Sequence, residues 1–187
     1  MLLGAILQAR FFLALDPEVI TSCCGSLFSR GGATLGADLA SLPAAPTAAT
    51  LWGTAGAAAL AGIAHARWGG GGLAATLGAA SALALVAGLA GVASFVSPYV
   101  YELPAHRCPF CLLHPEYGRI GYALYAALLA GAVCGIGAAA LQPFRAVPSL
   151  GAALPRVQRR LELAAAAAFA LFAALAGWEV LASGLAA

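Results

Sequence analysis

The sequence predicts an all-α protein, a polytopic bundle of about five transmembrane helices, and three observations carry that prediction. Of its 187 residues 63% are hydrophobic and only 9% charged, whereas a soluble domain needs about 25% charged residues to cover its surface. The mean hydropathy is +0.93. Runs of Ala, Leu, Gly and Val recur at about the 20-residue length that crosses a bilayer, separated by stretches holding the prolines and arginines. The lipid bilayer is therefore the expected surrounding of the chain. A net charge of +2, dispersed along the sequence, offers no surface for nucleic acid.

Residues 1–187 read as a single bundle domain. Met1 to Leu15 is apolar except for Gln8 and Arg10 and ends at Asp16-Pro17-Glu18, so the first span is short unless it reaches Ile20. A cleaved signal peptide is the competing reading, but no basic residue precedes the run and no small-x-small site follows it. Arg10 reads as a side chain that snorkels to the interface. A loop over residues 16–46 carries the adjacent pair Cys23-Cys24. The second span, about Ala48 to Ala66, leads into a short loop at 66–72, where His65, Arg67 and the glycines Gly69 to Gly72 mark a tight turn.

The third span, about Leu73 to Val96, has no charge, and a loop over residues 98–116 follows. The fourth covers about Tyr117 to Leu141. In it Gly131 and Gly135 have the spacing of a close-packing face, and Cys134 reads as a small buried apolar residue. Residues 142–160 form a loop with Arg145, Arg156, Arg159 and Arg160. The fifth span, about Leu161 to Leu185, has Glu179 near its far end.

Loops rich in arginine stay cytoplasmic, and Arg67, Arg145, Arg156, Arg159 and Arg160 follow spans two and four. Only Arg30 and Arg107 lie in the loops after spans one and three. The expected topology is multi-pass in a bacterial inner membrane, N-terminus cytoplasmic, with Cys23, Cys24, Cys108 and Cys111 on the extracytoplasmic, oxidising side.

Chemistry is concentrated in Tyr99 to Tyr117, YVYELPAHRCPFCLLHPEY, where Cys108 and Cys111 form a C-x-x-C flanked by His106 and His114. Thiol-disulfide exchange is one reading. It needs a stabilised thiolate, and Pro109 is a good first residue for a helix that Cys108 would cap. Because helices tend to end before a proline, Pro115 leaves open a second arrangement in which Cys108 to Leu113 is a separate short turn. His114 and Glu116 would then open the fourth span. Soft-metal binding is another reading, with Cys108, Cys111, His106 and His114 as ligands for Zn, Cu or Hg. A third has the cysteines stapling a loop in a non-enzymatic subunit. Glu102 reads as a loop cap, and Arg119 as an interface anchor.

With Cys23-Cys24 after span one and Cys108-Pro109-Phe110-Cys111 just before span four, the chain resembles the vitamin K epoxide reductase and DsbB-type membrane thiol oxidoreductases. Here the loop cysteines are adjacent, where that family separates them. The resemblance implies catalytic roles for Cys108, Cys111, Cys23 and Cys24, with Cys108 joined to a loop cysteine and Cys111 attacking to release it. It also implies a quinone acceptor, near which Arg119 and Tyr122 lie, and a periplasmic thioredoxin-like or other thiol partner. A vicinal pair beside a first span is also similar to mercuric-ion transport proteins.

Overall fold

A computed structural model describes residues 42–102, 108–151 and 153–184, which are helical with no strand among them. The first span, Arg10, the Cys23-Cys24 loop, His106 and Arg107 lie outside the described residues. Helix α1 is Ala44–Trp68. Helix α2, Gly71–Gly91, runs through a π-helical turn, Val92–Val96, into a last short helix α3, Ser97–Tyr101. Helices α4 and α5 are Ile120–Ala140 and Leu154–Ala182. Four stretches, Ala44–Trp68, Gly71–Tyr101, Ile120–Ala146 and Leu154–Ala182, are long and apolar enough to cross a membrane.

The helices run alternately up and down. α1 packs on α2 and α5, and α4 also packs on α2 and α5, which closes a ring of four. Both faces of each helix are apolar, the pattern of a helix surrounded by protein on one side and lipid on the other. Leu60, Leu83, Val86, Val133, Trp178 and Leu181 point outward, Leu181 with 80% of its surface exposed. Inside, small residues such as Ala55, Ala58 and Ala132 let the backbones approach, and Phe169 and Phe172 of α5 fill the centre.

Gly131 and Gly135 do face inward, but against two different helices: Gly131 meets the Phe169 ring of α5 and Gly135 meets Ser81 of α2. Polar groups cross between helices at few points. The Trp52 indole donates to the Ala173 carbonyl at 3.2 Å, and the Gln158 amide donates to the Ala138 carbonyl at 2.8 Å.

Four expected boundaries shift. The third span continues to Tyr101, so the loop expected from residue 98 starts only after the helix ends. Pro98 has no N–H to give the Ser94 carbonyl, and its ring crowds that carbonyl. The π turn relieves this, because the Ser97 N–H reaches back to the Val92 carbonyl one residue further than in an α-helix. The Ser97 hydroxyl holds the same carbonyl at 2.6 Å. The arginine-rich loop is shorter than expected: α5 begins at Leu154 with Pro155 in its first turn, so Arg156, Arg159 and Arg160 are helical. α4 begins at Ile120, and Arg119 sits just before it as an exposed residue with φ 57°. α1 starts four residues before the expected Ala48, at Ala44 directly after Pro43.

Candidate functional site

Cys108 and Cys111 are joined by a tight turn and not by the start of an α-helix. The Cys111 N–H donates to the Cys108 carbonyl at 3.3 Å, and Phe110 between them has φ −82° and ψ −25°. These are the marks of a type I turn with Pro109 at its second position. A helix beginning at Pro109 would have to stop before Pro115, too few residues to nucleate. The backbone instead continues as single 3₁₀ turns, Cys111–Leu113 and Pro115–Tyr117, with His114 extended between them. The second arrangement read from Pro115 therefore describes the cysteine stretch, with the difference that α4 starts five residues after Pro115.

A turn of this class holds its first and fourth Cα atoms within about 7 Å, inside the span that a disulfide can bridge. Cys108 is fully buried and Cys111 half-buried. Cys108, Cys111 and Cys134 are not joined to one another by a disulfide.

Two helices hold this turn. The Tyr101 hydroxyl, at the end of α3, donates to the Cys108 carbonyl at 2.5 Å. The Tyr125 hydroxyl, on α4, donates to the Pro109 carbonyl at 2.8 Å. Leu112, fully buried, seats the turn against α4 at Gly121, where a Cβ would lie 2.8 Å from the Leu112 Cβ and 2.9 Å from its carbonyl carbon. The Tyr117 ring closes the far side, edge-on to Tyr101 with centroids 4.5 Å apart.

Two cavities meet at Phe110 and Leu113. One, of about 520 Å³, is apolar and is lined by Val86, Leu89, Ala90 and Ala93 of α2 and the π turn, by Pro109 and Phe110 of the cysteine turn, and by Tyr125. The other, of about 700 Å³, is more polar and more open, and His114, Arg119 and Tyr122 line it. Arg119 and Tyr122 are thus brought to the same corner as the cysteine turn, both exposed.

No protein-family model matches the chain, and it has no match among curated proteins or solved structures.

The described part of the metal set, Cys108, Cys111 and His114, does not gather: among the described residues no group of three or more His, Cys, Asp or Glu side chains is placed to hold an ion. Glu102 does more than cap a loop. It takes φ 53° and its carboxylate accepts the Gly184 N–H at 3.0 Å, tying the C-terminal end of α3 to the end of α5.

One pair was not anticipated at all. His65, expected in the turn after span two, is buried in the last turn of α1, and its Nδ1 lies 2.6 Å from Oε1 of the buried Glu162 on α5. The signal was Glu162 itself, an acid beside an apolar run that cannot stand alone in a membrane interior.

Proposed function

We propose that this chain is an integral membrane thiol-disulfide oxidoreductase that works at the Cys108-Pro109-Phe110-Cys111 turn. The observation that carries the reading is the turn itself: two cysteines closing a single type I turn, clamped by two helices, with an apolar cavity lined by the Pro109 and Phe110 that lie between them. A loop staple would need no such cavity. The arginine-rich ends of α4 and α5 mark the cytoplasmic face, so the cysteine end lies outside, in a bacterial inner membrane facing the periplasm. Cys23 and Cys24 reach the same side in this topology and are the relay to a periplasmic thiol protein.

Oxidation of the Cys108-Cys111 dithiol forms one S–S bond and releases two electrons and two protons. A quinone, when bound, supplies the acceptor that takes up both and leaves as quinol. The residues present fit such a group: the 520 Å³ cavity is apolar, as a ring with a prenyl tail requires, and it touches both central residues of the cysteine turn. Phe110 and Tyr125 would flank the ring, and Arg119 and Tyr122 stand in the adjoining cavity to meet polar substituents. Cys111, the less buried of the two residues, would meet incoming thiols, the reverse of the order the resemblance implies, in which the fully buried Cys108 is joined to a loop cysteine.

The reading is tested by trapping cells in acid and tagging thiols with a mass-shifting maleimide before and after reduction. Cys108 and Cys111 should gain two tags only after reduction, and reduced purified protein should lose two reactive thiols on adding a water-soluble quinone analogue. Cysteines that stay reduced in cells and ignore the analogue would overturn it.

A further inference from the structure

We infer that Tyr101 and Tyr125 are positioning residues for the cysteine turn, holding Cys108 in its buried place by occupying the first two carbonyls of the turn. The inference deepens the redox reading and rests on it for its purpose, while its geometry stands alone. The Cys108 carbonyl receives two donors, the Cys111 N–H at 3.3 Å and the Tyr101 hydroxyl at 2.5 Å. That fills both of its lone pairs.

The Pro109 carbonyl receives the Tyr125 hydroxyl at 2.8 Å. This is the carbonyl that reverses direction when a type I turn flips to type II. Proline at the second position is compatible with either turn, so Pro109 does not choose between them. Phe110 disfavours the flip, since type II needs a positive φ at its position, and Tyr125 opposes it from outside the loop. The two phenols come from different helices, 7 and 16 residues away in sequence. The turn therefore keeps its place relative to the bundle whether or not the two sulfurs are bonded to each other.

Both hydroxyls bind the backbone on either side of the Cys108–Pro109 bond. Tyr101 has Ser97 beside it, which itself anchors the π turn. Tyr125 forms part of the apolar cavity wall, so one side chain contacts both the cavity and the turn.

The test uses purified full-length protein in detergent, fully reduced, comparing wild type with Tyr101→Phe and Tyr125→Phe. These changes remove an oxygen and keep each ring. Labelling rates at Cys108, Cys111 and Cys134 are followed by mass spectrometry with a small maleimide. Losing one such hydrogen bond should raise the Cys108 rate about tenfold and shift the Cys108-Cys111 equilibrium with a dithiol buffer, while Cys134, on the far part of α4, labels at the wild-type rate. An unchanged Cys108 rate in both variants overturns the inference, and so does a parallel rise at Cys134, which would mean general loosening. If one variant does not fold, the other decides the matter, and failure of both to fold also counts against a role confined to the turn. Cysteines that never cycle in cells would remove the redox reading and leave these labelling ratios as they are.

Discussion

Burial separates the two cysteines of the turn by accessibility, although the sequence presents them as equivalent. In the reduced protein Cys111 should be alkylated about tenfold faster than Cys108 or more, because reaching a fully buried thiol requires a local opening. Equal rates, read by mass spectrometry of the tagged peptides, would contradict the placement of Cys108. The His65–Glu162 pair carries a different expectation. Its removal by Glu162→Ala leaves a buried imidazole with neither nitrogen partnered, since Nε2 has no hydrogen-bond partner among the described residues. Breaking a buried pair on one side costs about 3–5 kcal/mol, to be measured by unfolding in a denaturing detergent series; a loss under about 0.5 kcal/mol, the range of ordinary surface changes, would refute the pairing. The cysteine pair could be picked out from spacing because C-x-x-C is a local pattern. Tyr101, Tyr125 and Glu162 could not be identified that way, because their roles depend on which helices become neighbours.

The elements show the same division. Helix existence followed from apolar run length, and all four described spans coincide with an expected one. Their ends depended on local backbone chemistry that hydropathy does not register: the π turn that carries the third span past Pro98, Pro155 opening α5 within the arginine-rich stretch, and Gly118 at φ 63° with Arg119 at φ 57° delaying α4. Gly121 tests how the turn is seated. A methyl group there would strike the Leu112 backbone as well as its side chain, so Gly121→Ala should destabilise the protein by about 1–3 kcal/mol. It should also speed Cys108 labelling in the native fold. A variant as stable as wild type with Cys108 still protected would mean that the turn is not seated on α4.

Across the whole molecule, the two ends of the bundle differ in kind. One end gathers Arg67, Arg145, Arg156, Arg159 and Arg160 beside the buried His65–Glu162 pair, and the other holds the cysteine turn, its tyrosine clamps and the two cavities. This polarity was legible in the sequence, since arginine placement alone separates the loops. The cavities were not, because the apolar one arises where α2, the π turn and the cysteine stretch meet and the more polar one where that stretch meets the start of α4. The central claim is that a redox-active Cys108-Cys111 pair sits at the end facing away from the cytoplasm. Intact cells treated with a membrane-impermeant mass-tagged maleimide, with and without prior dithiothreitol, test it most directly. The account predicts tags on Cys108 and Cys111 from outside the cytoplasm only after reduction. Tags without reduction, or tags that appear only once the inner membrane is permeabilised, would contradict it.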